Sequence, residues 1–280
     1  MLITSEDIEK IIITIQNHSP YDFSGYSIKS FTRRIEKATF DFKLSIDEII
    51  KKIKTDEIFT EKLAKGITVN TTELFRDPKV WHTLRYRVLN KFSENRRINI
   101  WHAGSSTGQE VYSMLILLNE MGLLEKANVF ASDINTDVLE VAKKGVYNYR
   151  FNMEYFDNFN KVIRENPFNY DDYLDVPYSK YFNIEKEKDT ISIKDFLKRK
   201  VVWLKHDLVN QSNIFDTKFD LILCRNVLIY FNNELQEKVI ETFYNSLFRK
   251  GVLIIGIHES IIGLMANKFN KSGFVYTKKE

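Results

Sequence analysis

Apolar positions along this chain recur in two different rhythms. From about Ser5 to Val69 they fall three or four residues apart, the spacing that gathers them on one face of a helix. "SEDIEKIIITIQNH" opens on Ser5 as an N-cap with acids in its first turn, and "SIDEIIKKIK" repeats the arrangement with Ser45. Between them, "YSIKSFTRRIEKATF" spaces Ile28, Phe31, Ile35 and Phe40 near the helical period and turns Lys29, Arg33, Arg34 and Lys37 to other faces. A small all-α domain over residues 1–75 is expected. A linker helix over 76–97 starts at Asp77 and Pro78, places Trp81, Leu84, Val88 and Phe92 about a turn apart, and joins this domain to a second one.

The rhythm changes at Ile98. Short apolar runs alternate with amphipathic stretches: "INIWHA", "EVYSMLILLNEM", "NVFASD", "TDVLEVAKKG". This alternation predicts an α/β domain with a parallel, Rossmann-like sheet over 98–280. It breaks at about 148–200, where aromatics and charges mix and "DTISIKDF" reads as a short exposed strand, so a small subdomain is inserted there. It resumes with "VVWLKHDL", "FDLILCRN", the helix "NNELQEKVIETFYNSLF", the strand "GVLIIGI" and a final "FVYTKK".

Composition narrows the classes of function. With 44% apolar and 28% charged residues the chain is an ordinary globular protein, and no apolar run nears the roughly 20 residues that span a bilayer. The amino-terminal stretch "MLITSEDIEKIIITIQ" has neither a basic leader nor an uninterrupted apolar core, so a cytoplasmic location is expected. A single cysteine, Cys224, and five scattered histidines offer no thiolate or histidine set for a metal. A net charge of +3 is too small to mark a nucleic-acid binder.

In an open parallel sheet, ligands sit beyond the carboxyl ends of the strands, so the residues just after each strand carry the chemistry. After the first strand, "AGSSTGQE" has glycines at 104 and 108 only and satisfies neither GxGxxG nor GxxxxGK[ST]. Without the lysine, a triphosphate is poorly held. After the second strand, Asp133 in "FASDIN" stands where such folds place the acid that accepts from ribose hydroxyls. "HDL" at 206–208 and "CRNVLIYF" at 224–231 then offer a polar group for an adenine amino group and an aromatic for the reactive end. Together they point to adenosine without phosphates, that is, S-adenosylmethionine. Each feature alone has a plainer reading: the glycines as a turn, Asp133 as a helix cap, Tyr230 as a packed aromatic, Cys224 as a small buried residue, Arg76 as a surface ion pair. Their occurrence in this order favours the cofactor.

The stretches "VNTTELFRDP", "IWHAGSSTGQEVYSM", "ASDINTDVLEVAKKGVY", "FDLILCRNVLIYF" and "GVLIIGIHES" resemble, in order and spacing, the motifs of the CheR-type chemotaxis receptor methyltransferases, over nearly the whole chain. The resemblance implies a Rossmann-like S-adenosylmethionine-dependent methyltransferase domain with an inserted small β-subdomain, preceded by a small helical domain. It implies methyl transfer to glutamate side chains on the cytoplasmic helices of methyl-accepting chemoreceptors, by a cytoplasmic enzyme recruited to membrane receptor arrays. By the same resemblance Asn70, Thr72, Arg76, Glu110, Asp133, Asp207, Leu208, Cys224 and Arg225 line the cofactor site, with Asn226 beside them. Tyr230 matches the tyrosine near the transferred methyl, and Arg76 and Tyr230 are the catalytic candidates. The basic helix carrying Arg33 and Arg34 is the candidate dock for an acidic receptor bundle, although such a charge run also reads as a solvated face.

Departures from the family are visible. Gly108, Gln109, Glu110 and Val111 stand where the family has glycine-acid-acid-proline, and Asp207 replaces an asparagine. "RENPFNYDDYLDVP" is extra length in the β-subdomain, which in some members docks a receptor's carboxyl-terminal peptide.

A glutamate carboxylate is already ionised at neutral pH, so attack on a sulfonium methyl needs no general base and no His/Asp pair is expected. Two other readings stand beside this one. A methyltransferase for a different acceptor is disfavoured by "RNVLIY" in place of a [DN]PPY loop. A scaffold or sensor that binds S-adenosylmethionine without turnover is disfavoured by the presence of Arg76, Asp133 and Tyr230.

Overall fold

The computed structural model describes residues 3–153, 155–169 and 171–279. Met1 and Leu2 of the amino-terminal stretch, Glu154, Tyr170 of the extra length and Glu280 lie outside the described residues.

Four helices open the chain: α1 (Ser5–His18), α2 (Ile28–Phe42), α3 (Ile46–Thr55) and α4 (Glu57–Ile67). Thr4, one residue before the expected Ser5, caps α1 in a reciprocal box with Asp7. Ser45 and Glu48 cap α3 in the same way. The buried stripe of α2 is Phe31, Ile35 and Ala38, leaving Ile28 and Phe40 exposed. Phe40 lies five residues beyond Ile35, more than a turn, so it points away from the face that Ala38 occupies. These stripes meet Ile8, Ile11, Ile15, Ile49, Phe59 and Leu63 in one apolar core.

The second unit is built on a seven-stranded sheet of order β6-β2-β1-β7-β8-β10-β9. Its strands are β1 (Ile98–Ala103), β2 (Ala127–Asp133), β6 (Val201–Lys205), β7 (Phe219–Cys224), β8 (Leu247–Ile255), β9 (Phe269–Ser272) and β10 (Val275–Lys278). Pairing is parallel from β6 through β8, and β10 and β9 complete the edge antiparallel. Because β2 and β6 continue outward on one side of β1 and β7 lies on the other, strand order reverses between β1 and β7. Side chains alternate across the sheet: Ile100, Val129 and Leu221 enter one core, Trp101, Ile222 and Leu253 the other.

Helix α5 (Pro78–Thr83) and the two helical turns that continue it to Phe92 place Trp81, Leu84 and Val88 in the same core as Ile98 and Ile100. Residues 78–92 thus pack as part of the core that covers the sheet. Helix α6 (Gln109–Glu120) is buried almost all round, from Val111 to Leu118, as expected of a helix with another layer on its outer side. That layer is the insertion: β3 (Val146–Asn148), β4 (Phe182–Glu185) and β5 (Thr190–Ile193) form a small antiparallel sheet of order β3-β5-β4. Helix α7 (Thr136–Lys144) precedes it; short helices α8 (Tyr149–Asn152), α9 (Tyr155–Phe159) and α10 (Asp195–Lys198) lie within it; and α11 (Asn233–Ser246) covers the opposite core. Among the described residues no helix is long and apolar enough to cross a membrane.

Candidate active site

The carboxyl ends of β1, β2, β6 and β7 open on one continuous groove. Its apolar half is lined by Tyr26, Ile67, Ile134, Leu208 and Phe231 together with Asp133 and Asp207. Its polar half is lined by Thr72, Arg76, Ser105, Ser106, Glu110 and Arg225. Val69, Gly104, Asn226 and Val227 border both halves.

Backbone geometry at the β1 turn explains the two glycines. Gly104 has φ +76°, and a Cβ there would lie 2.5 Å from the Val227 side chain. Gly108 has φ +89°, and a Cβ there would meet Ala142 and Trp203. The turn is tied to β2 by Asp133: its Oδ2 accepts the Ser106 N–H at 2.8 Å and its Oδ1 the Asn135 N–H at 2.9 Å. Burial pushes the Asp133 carboxyl up, against the pull of these backbone donors. Each oxygen keeps a lone pair for a ligand hydroxyl.

The polar half is organised around a buried guanidinium. Arg225 donates to Glu110 Oε2 at 2.9 Å, to Asp77 Oδ2 at 2.7 Å and to the Arg76 carbonyl at 3.0 Å. The second oxygen of Glu110 lies 2.9 Å from His102 Nδ1. Burial works to raise the Glu110 carboxyl, but His102 and Arg225 outweigh it and hold it below the usual glutamate range. Asp77, expected only as a helix start, has φ +57° and gives its carboxylate to Arg225 instead of to the helix cap.

Arg76 contrasts with Arg225. Its carbonyl accepts from Trp81 and Arg225, but among the described residues its guanidinium has no carboxylate partner, and neither do those of Arg33 and Arg34. All three arginines act electrostatically on the half-buried Tyr230 hydroxyl. Burial raises that hydroxyl, the arginines draw it back, and the net shift is upward, so at neutral pH Tyr230 is a hydrogen-bond donor.

Two expected residues sit differently from the rest. Asp207 lines the groove, but its carboxylate accepts the Val209 N–H and the Asn210 side chain of its own turn. The Cys224 thiol is fully buried in the apolar core with Trp101 and Leu228, lines neither half of the groove, and is pushed well up by burial. Asn70, Thr72 and Leu208 line the groove as Asn226 does.

Glu259 is a residue the sequence did not single out. It sits in the loop after β8, and its carboxylate accepts the N–H groups of Gly256, Asn226 and Ile229 at 2.5, 3.0 and 3.1 Å. It therefore fixes the loop that presents Asn226, itself at φ +60°, and Tyr230. Gly256 has no room for a Cβ, which would lie 2.6 Å from the same carboxylate. The signal was available, since "GIHES" also follows a strand.

A mostly parallel sheet whose switch-point groove offers carboxylates at an apolar end and paired acids and arginines at the other fits an S-adenosylmethionine-dependent methyltransferase. The buried Oγ atoms of Ser105 and Ser106, without a hydrogen-bond partner among the described residues, and the close approach at Gly104 fit a zwitterionic amino-acid group beside a nucleoside. The family model described as CheR methyltransferase, SAM binding domain matches residues 70–160 and 172–276, and the chain belongs to this family. A Pseudomonas putida protein named Cher3 is 34% identical over 259 residues, covering 92% of this chain and 90% of that one. The chemotaxis protein methyltransferase of Borreliella burgdorferi is 31% identical, covering 91% of this chain and 82% of that one. That of Vibrio anguillarum is 30% identical, covering 92% and 90%. The cofactor is S-adenosylmethionine.

Proposed function

We propose that this protein methylates glutamate side chains in the cytoplasmic helical domain of methyl-accepting chemotaxis receptors, forming methyl esters during chemotactic adaptation. The observation that carries the reading is the Tyr230 hydroxyl lying in the positive field of Arg33, Arg34 and Arg76, three cations without carboxylate partners among the described residues. An incoming carboxylate is the complement of that field. The names of the Borreliella and Vibrio relatives support the link to chemotaxis.

S-adenosylmethionine supplies a methyl group activated by its sulfonium. The chain's task is then positioning, which contributes roughly 7–11 kcal/mol in favourable cases. In this reading Asp133 holds the ribose, Leu208 and the Asp207 turn border the adenine, and Asn70 borders the same end. Glu110, Thr72 and Arg225 shape the amino-acid end, Glu110 facing the ammonium while Arg225 holds it in place. Cys224 contributes through its backbone, since its thiol is buried. Arg76 and Tyr230 are the catalytic pair: the guanidinium attracts a carboxylate and the hydroxyl orients an acceptor oxygen. Arg33 and Arg34 dock the acidic receptor bundle, and the enzyme works at the cytoplasmic face of receptor arrays.

The test is transfer of labelled methyl to receptor-containing membranes. Label released by mild base is the expected outcome. Base-stable label would assign another acceptor, and cofactor binding without transfer would assign a sensor or scaffold.

A further inference from the structure

The family model begins at residue 70, yet one wall of the nucleoside end comes from the helical unit before it. Tyr26 lies in the connection between α1 and α2 and is stitched to the loop that carries Tyr230. The Ser27 N–H donates to the Tyr230 carbonyl at 2.8 Å, the Asn232 N–H donates to the Gly25 carbonyl at 2.8 Å, and Tyr26 bridges Phe231. Its ring stands edge-on to Phe23 and Phe231, with centroids 4.9 and 5.2 Å away.

The ring therefore has a fixed place beside Asp133, Ile134, Asp207 and Leu208. Its hydroxyl has no hydrogen-bond partner among the described residues. The hydroxyl is not sealed in the core: it opens on the groove, where a bound ligand can reach it. Burial and the charges of Asp207 and Asp133 push the hydroxyl well above the usual phenol range, which keeps it protonated and able to donate.

We propose that Tyr26 is a cofactor-binding residue: its ring walls the nucleoside end and its hydroxyl donates a hydrogen bond to the bound nucleoside. The proposal rests on the assignment of the groove to the cofactor and not on the identity of the methyl acceptor.

Full-length wild type, Tyr26→Phe and Tyr26→Ala are compared by calorimetric titration with S-adenosylhomocysteine and with methylthioadenosine, which lacks the amino-acid portion. Ligand-free melting temperatures are recorded for all three. Loss of the hydroxyl weakens both ligands about threefold or more, and loss of the ring weakens both at least about fivefold. Tyr26→Phe melts like wild type in the absence of ligand. Wild-type affinity for both ligands in Tyr26→Phe overturns the proposal, whatever Tyr26→Ala does. The titration needs no acceptor, so a failure of receptor methylation leaves this result readable. A wild-type protein that binds neither ligand refutes the groove assignment, and the proposal with it.

Discussion

Replacing Arg225 with methionine keeps much of the side chain's length and apolar volume while deleting its charge. The guanidinium side chain is 1% exposed and makes three hydrogen bonds, so its loss strands Glu110 and Asp77, whose side chains are 17% and 25% exposed. Breaking a buried ion pair from one side costs about 3–5 kcal/mol. Asp77 recovers part of this by hydration, which places the expected loss near the lower figure. For a chain of this size that corresponds to a fall in melting temperature of roughly 6–12 °C. Glu110→Gln leaves Arg225 with Asp77 and the Arg76 carbonyl, at a cost of about 1.5–3 kcal/mol. The double variant no longer strands the Glu110 charge, so its loss falls short of the sum by about 1 kcal/mol or more. Chemical denaturation of the four proteins gives the cycle, and titration with S-adenosylhomocysteine shows whether the amino-acid end has been disturbed. An Arg225→Met protein as stable as wild type, or a strictly additive cycle, refutes the reasoning.

Tyr230→Phe lowers methyl transfer at least about tenfold while S-adenosylhomocysteine affinity stays within about twofold, because positioning by a hydroxyl acts on the acceptor and not on the bound cofactor. Unchanged turnover contradicts that role. Arg33→Glu with Arg34→Glu raises the KM for receptor at least about tenfold and leaves S-adenosylhomocysteine affinity and melting temperature in place; equal loss of both affinities points to a folding defect. Since the Glu110 carboxyl is held below its usual range, the stability it contributes is present above that range and is lost as pH falls through its folded value. The gap between the denaturation midpoints of wild type and Glu110→Gln is therefore full at neutral pH and narrows progressively as pH falls below the usual glutamate range; a gap that stays constant contradicts the assignment.

The alternation of apolar strands and amphipathic helices after Ile98 was legible because each strand of a parallel sheet covered on both faces is a short continuous apolar run. "FNKS", which forms β9, was not, because a four-residue edge strand with one buried residue carries no such run. The phase of α2 went astray at Phe40, since counting large apolar residues gives weight to an exposed phenylalanine over the small Ala38 that the packing selects. Among the residues that line the groove, those immediately after strands could be read from position alone. Asp77, His102 and Tyr26 could not: their roles depend on Arg225, Glu110 and Phe231, which are 148, 8 and more than two hundred residues away. Glu259 lay in a stretch whose position after a strand was visible, while its partners, the backbone N–H groups of Gly256, Asn226 and Ile229, were not.

The central claim meets its most direct test in peptide mapping of a chemoreceptor cytoplasmic domain incubated with the enzyme and S-adenosylmethionine. The account predicts methyl groups on glutamate side chains, removed by mild base and reduced at least about tenfold when Tyr230→Phe replaces wild type at the same exposure. Methyl groups on nitrogen that survive base, or an unmodified receptor beside an enzyme that binds its cofactor, would contradict it.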